Sequence, residues 1–182
     1  MAKILRKYHS TIYGDYRKAY IKYGFVTGVV VSVVVLVNWL LNFDNQSMQP
    51  SNWLTEIVFA LGIGWFTYRY RQNLSNQMVT FKELMMLGLG IGVVGSVLYG
   101  LALWFFCGVA FPEMGDAFIA GRLAMMPDAS VGAEEKIAID TVRGYTAGDW
   151  GFIGGFRSAV MSVLIAFFAA IIFRTEKGEV VS

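Results

Sequence analysis

Leu84–Phe111 reads LMMLGLGIGVVGSVLYGLALWFFCGVAF, 28 residues without one charged side chain. As an α-helix the run is about 42 Å long, against a hydrocarbon core of about 30 Å. It predicts a membrane helix that tilts or projects beyond the bilayer. Gly88, Gly92, Ser96 and Gly100 recur every four residues, which puts them on one helical face. In lipid such a face lets backbones approach and pack by van der Waals contact. Gly90-Ile91-Gly92-Val93-Val94-Gly95 matches the dinucleotide fingerprint by letters. That fingerprint needs a strand before it and a helix after it, so these glycines read as packing positions. Just upstream, Thr80 and Glu83 have the spacing of a capping box that starts the helix, and Lys82 can snorkel at the surface.

Three more apolar runs flank this one. Residues 23–42 carry Gly24, Gly28 and Ser32; residues 53–68 carry Ala60 and Gly64; residues 156–173 carry Ser158, Ser162, Ala166 and Ala170. The first is Val-rich, and a short Val-rich run would suit a buried strand. Its uncharged length argues for a helix. It is too long for a signal peptide, and Asn42-Phe43-Asp44 offers no small-x-small cleavage site. The chain of 182 residues is 56% hydrophobic and only 15% charged, where soluble domains carry about 25%. The expected fold is all-α: a four-transmembrane-helix bundle over 23–174, with spans at 23–42, 53–68, 84–111 and 156–173. An amphipathic N-terminal segment, 1–22, precedes it, and a short tail, 175–182, follows.

Charge sets the orientation. The first segment holds Lys3, Arg6, Lys7, Arg17, Lys18 and Lys22 against Asp15, and the second connection holds Arg69, Arg71 and Lys82 against Glu83. The connection 113–155 holds three basic and seven acidic residues. Positive charge marks the cytoplasmic side. The expected location is therefore the bacterial inner membrane, multi-pass, with both termini cytoplasmic and 113–155 outside. Trp39, Trp53, Trp104 and Trp150 fall at the outer boundary, and Trp65, Tyr68, Tyr70, Tyr20 and Tyr23 at the inner one, as interfacial belts require.

Leu5, Tyr8, Ile12, Tyr16, Tyr20 and Tyr23 recur every three or four residues among the basic ones, an amphipathic helix pattern weakened by Gly14. This reads either as an interfacial helix on anionic lipid or as an ordinary positive-inside flank. The outer connection is too long for a plain turn. Met114, Phe118, Ile119, Leu123 and Met126 predict a short helix after Pro112, ended at Met126-Pro127. Glu134 to Val142 predicts another, with Glu134 and Glu135 at its N-terminus. Asp128 to Gly132 reads as loop, and Gly144 to Gly155, with five glycines, as irregular chain.

Glu56 is the one acidic residue inside a predicted span, and intramembrane ionisable groups are functional candidates. Asn38 and Arg157 fall at a similar depth. The three predict a polar cluster at the outer end, either fastening helices or serving a proton, ion or ligand. Cys107 cannot form an intrachain disulfide and reads as a small hydrophobe. His9 has nothing nearby to complete a metal site. No nucleophile–base–acid set is visible, so no catalytic, cofactor or metal residues are expected. A net charge of +2 without a basic, aromatic-rich signature argues against nucleic acid.

The chain resembles an uncharacterised bacterial membrane-protein family, domain of unknown function 4199, from about Lys22 to Arg174. The resemblance rests on Lys22-Tyr23-Gly24 with Gly28, Tyr70-Arg71, Thr80-Phe81-Lys82-Glu83-Leu84, Ser96, Tyr99-Gly100, Pro112 and the Ala169-to-Arg174 ending. It implies four helices with a long extracytoplasmic connection, and supplies no activity, cofactor or catalytic residue. The expected role is a non-enzymatic subunit, scaffold or partner of envelope machinery. Its expected partners are membrane lipid and a second copy or another membrane protein. The alternative is a small transporter or lipid-handling protein using Glu56, Asn38 and Arg157.

Overall fold

A computed structural model describes residues 2–41, 53–73, 79–123 and 133–174; its side chains are described from Lys18 in the first segment and from Lys136 in the last. The described residues are helical, with no strand among them. Helix α1 is Ala2–Leu41, α2 is Trp53–Asn73, and α3 is Phe81–Phe105, which runs on as a π-helical turn, Phe106–Ala110. Helix α4 is Pro112–Leu123, α5 is Ala133–Arg143 and α6 is Ala147–Phe173. The segments 42–52, 74–78, 124–132 and 175–182 lie outside the described residues. So do the predicted loop at Asp128–Gly132, the Met126-Pro127 stop, the C-terminal tail, and the side chains of His9, Glu134 and Glu135.

Cross-helix contacts give the directions of the four long helices. Gly24 lies against Ile91 and Val94, and Gly28 against Gly95 and Leu98, so α1 and α3 run parallel. Gly88 meets Ala166, Gly92 meets Ser162, Gly100 meets Gly151 and Gly108 meets Ala147, so α6 runs antiparallel to α3. Gly62 lies on Thr27 and Phe66 stacks on Tyr23 at 4.3 Å, so α2 is antiparallel to α1. The helices therefore alternate up, down, up, down, with α4 and α5 at the end where α1 and the π turn finish.

The α3–α6 seam is made of backbone. A Cβ added to Gly100 would sit 2.7 Å from the Gly151 carbonyl oxygen, and one added to Gly155 would sit 3.0 Å from that of Ser96. On the other side of α3, a Cβ on Gly28 would sit 2.8 Å from the Gly95 oxygen. No side chain fits such gaps without moving a helix. The three glycines of the fingerprint-like run divide among three neighbours: Gly90 under the Tyr20 ring, Gly92 on Ser162, and Gly95 between Phe59 and the α1 backbone.

The stretch Gly144–Gly155 corrects the sequence reading. It was expected to be irregular, yet α6 begins at Ala147, well before Phe156. Thr146 caps it: its backbone N–H donates to Asp149 Oδ2 at 2.7 Å, and the Asp149 N–H returns a bond to Thr146 Oγ1 at 3.4 Å. This satisfies N-terminal donors a helix otherwise leaves open. Gly151, Gly154 and Gly155 then serve packing inside the helix rather than a bend in the chain. Thr80 and Glu83 form the matching box on α3, with Thr80 N–H donating to Glu83 Oε2 at 2.8 Å. One further boundary differs from expectation: α2 continues to Asn73. Gly14 lies within α1, which makes the basic segment and the first apolar run one continuous helix.

Pro112 explains the π turn. Its missing N–H ends the α-helical ladder, while the Phe111 N–H reaches back five residues to the Phe106 carbonyl at 2.7 Å. Pro112 then opens α4 at a position where no N–H is needed. Met114 and Phe118 are fully buried on α4. Phe118 meets Trp150 edge-on at 5.5 Å, Trp150 meets Tyr145 at 5.2 Å, and Trp39 packs on Phe111 at 4.9 Å. These aromatic contacts seat α4 on the long helices, and Val142 of α5 is buried with it.

Three segments are long and apolar enough to cross a membrane: Lys18–Leu41, Phe81–Ala110 and Ala147–Phe173. The expected count was four. Helix α2 is not among the three; it carries Glu56, Arg69 and Arg71 within its 21 residues. Many large apolar side chains of the long helices face outward, including Phe25, Leu61, Val97, Phe152 and Phe168, as lipid-facing surface requires.

Candidate functional site

Glu56 lies in the first turn of α2, where the helix dipole favours a carboxylate. Across the α2–α6 contact, Arg157 Nη2 and Nε donate to Glu56 Oε1 at 2.7 and 3.1 Å. The two side chains are 26% and 48% exposed, so the pair sits at the surface of the packed helices rather than within them. Beneath it, Thr55 and Tyr99 share a hydrogen bond and are almost completely buried. Phe59 packs edge-on to Tyr99 at 6.3 Å. The polar groups thus form two layers, a charged pair outside and a neutral hydroxyl pair inside.

Glu56 and Arg157 come together. Asn38 is half-buried on α1 beside buried Trp39, and it is itself partnered. Sequence reasoning missed Thr55 and Tyr99. Both are hydroxyl residues within apolar runs, and Thr55 directly precedes Glu56, but neither position marks the other as its partner.

The small-residue positions separate into two groups. Gly24, Gly28, Ser32, Gly88, Gly92, Ser96, Gly100, Ser158, Ser162, Ala166 and Ala170 are all buried. Ser32 and Ser162 also donate to the carbonyls one turn back, those of Gly28 and Ser158, at 2.8 and 2.7 Å. Ala60 and Gly64 form no such face. Ala60 is exposed, and a Cβ on Gly64 would meet nothing within 4 Å. The buried face of α2 is instead Thr55, Phe59, Ile63 and Thr67, and its close approach to α1 is at Gly62, where an added Cβ would sit 2.8 Å from Thr27. Large side chains, not small ones, seat this helix.

Among the described residues no three His, Cys, Asp or Glu side chains converge on a metal-sized site. Cys107 is buried in the π turn.

The family model described as "protein of unknown function (DUF4199)" matches residues 22–175. The chain belongs to the DUF4199 family. No curated protein and no solved structure matches it. The family match begins at Lys22 and ends one residue past the last described one, so it takes in α1 from Lys22 onward, the five other α-helices and the charged pair. The basic segment before Lys22 stands outside the match. DUF4199 carries no assigned activity, and its apolar helices fit a membrane protein.

Proposed function

We propose that this DUF4199 protein is a four-span membrane protein that works by assembly, as a non-enzymatic subunit, scaffold or partner of envelope machinery in the inner membrane. One observation carries the reading. Behind the charged pair the interior is closed: Thr55, Phe59 and Tyr99 are each at most 1% exposed. A transport path would need an opening there lined by Glu56. The pair's geometry suits fastening, since each charge neutralises the other where an isolated one is costly.

Helix α2 is read as the fourth span. Its 21 residues make a helix of about 31 Å, close to the hydrocarbon thickness. It contacts its neighbours at both ends, through Glu56–Arg157 and through Tyr68 on Phe173 at 5.6 Å. With the four long helices alternating in direction, both termini are read as lying on one side. Glu113, Asp116, Asp140 and Asp149 lie at the opposite end from Lys22, Arg69, Lys82 and Arg174, so by the positive-inside rule α4 and α5 are read as outside the cytoplasm.

The test has two arms. On a Cys107→Ala background, a membrane-impermeant maleimide labels Ser47→Cys and Ser130→Cys on intact spheroplasts and Ser75→Cys only after lysis. Labelling of Ser47→Cys and Ser75→Cys from the same side removes the fourth span. Native mass spectrometry of protein purified in mild detergent at native abundance then shows a stoichiometric assembly with a second copy or another membrane protein. A monomer without a protein partner overturns the assembly reading.

A further inference from the structure

A groove of about 430 Å³ runs between α1 and α2 on the outer surface of the packed helices. Val26, Val30, Val58, Leu61, Trp65 and Phe66 line it, over a floor where Gly62 meets Thr27. Its walls are apolar, and its two ends differ in chemistry. At the end toward Tyr68, Arg69 holds its guanidinium carbon 6.0 Å from the Trp65 ring centroid, within cation–π range. Arg69 lies one turn beyond Trp65 on the same face of α2. Lys22 lies one turn before Val26 on α1, and it is exposed, as is Arg69. Because α1 and α2 are antiparallel, with Thr27 on Gly62 and Tyr23 on Phe66, Lys22 and Arg69 flank the same mouth.

From Val58 to Arg69 the groove and its mouth extend 11 residues, about 16 Å of helix. That is about half of a 30 Å core, the depth of one leaflet. A single hydrocarbon chain, narrower than a helix about 10 Å across, suits an apolar slot of that length. The indole at the mouth sits where interfacial tryptophan is found, and the nearby carboxylate of Glu83 is held by Thr80 in its capping box.

We propose that this groove binds one anionic phospholipid of the leaflet at the Tyr68–Phe173 end. A hydrocarbon chain lies along Val30, Val58 and Leu61, and the phosphate sits between Lys22 and Arg69. The inference rests on the membrane-spanning reading of α2. It differs from ordinary positive-inside charge because it names two cations from two helices around one apolar slot.

The experiment uses the full chain in phosphatidylcholine nanodiscs, with brominated phosphatidylglycerol or brominated phosphatidylcholine as the probe. Tryptophan quenching is read, and Trp65→Phe isolates the share of Trp65. Brominated phosphatidylglycerol quenches Trp65 at lower mole fraction than brominated phosphatidylcholine. The double variant Lys22→Gln, Arg69→Gln lowers the relative affinity for phosphatidylglycerol about thirty-fold, from two near-surface cations. The control, Lys82→Gln with Arg174→Gln, removes two cations from the same end and leaves the preference in place. Equal quenching by both lipids in the native protein overturns the site but leaves the span standing. Loss of preference in the control also overturns it, as bulk charge. Absence of Trp65 quenching by either lipid means that α2 is not in the bilayer, and the reading beneath this one fails.

Discussion

Helix α6 is held in two ways along its length, and the contrast explains most of this molecule. Toward α3 it presents Gly151, Gly155, Ser162 and Ala166, and it meets small residues there: Gly100, Gly92 and Gly88. Toward α2 it presents Arg157, which meets Glu56, and Phe173, which meets Tyr68. The first seam works by the absence of side chains and the second by their chemistry. A seam of backbone tolerates almost nothing added, because protein interiors are packed without slack. A seam of side chains at the surface can rearrange. The two are therefore expected to respond very differently to substitution.

Gly92→Leu strikes the first seam hardest. Even a Cβ there collides with Ser162, so α3 and α6 must separate. The expected loss is at least about 3 kcal/mol, read as a Tm drop or failure to purify in detergent, with tryptophan fluorescence as the signal. A variant with native Tm would mean that the seam is not close-packed. Arg157→Leu comes next. It leaves Glu56 without its cation, at an expected cost of about 2 kcal/mol, between surface and buried pairs. The double variant Glu56→Leu, Arg157→Leu removes both charges and regains most of that stability. If the double variant is no better than the single one, the pair is not what couples α2 to α6. The smallest effects separate two glycines on α2. Gly62→Ala presses on Thr27 and lowers Tm, whereas Gly64→Ala meets open space and raises stability by up to about 1 kcal/mol. Reversal of that order would restore Gly64 as a packing position and blur the contrast between the seams.

The small-residue spacing of α3 and α6 was legible in the sequence, and Gly88, Gly92 and Gly100 lie against Ala166, Ser162 and Gly151, whereas Gly24 and Gly28 of α1 lie against Ile91, Val94, Gly95 and Leu98. The same spacing in α2, at Ala60 and Gly64, led to the wrong face. A periodic small residue is only half of a contact; the other half belongs to whichever helix lies opposite. In α3 and α6 the opposing positions are small as well, while α2 faces its neighbours with Phe59 and Ile63. The glycines of Gly144–Gly155 misled in the other direction. Glycine is a poor helix former in isolation, but a capping box at Thr146 and a close partner at Gly100 offset that preference. Glu56 and Arg157 were legible as a pair because few charges interrupt these runs. Tyr99 and Thr55 were not, since a hydroxyl in an apolar run gives no sign of its partner 44 residues away.

By itself the sequence determined the helical class, apolar runs long enough for a membrane, the capping box of Thr80 and Glu83 and the asymmetry of charge between the two ends. These follow from local chemistry: hydropathy, helical period and the needs of open helix termini. Only the tertiary structure decided which small faces meet, that α6 begins at Ala147, that Thr55 binds Tyr99, and that Lys22 and Arg69 share one groove mouth. Each of those depends on antiparallel or parallel register between helices, and register is set by how whole surfaces fit together.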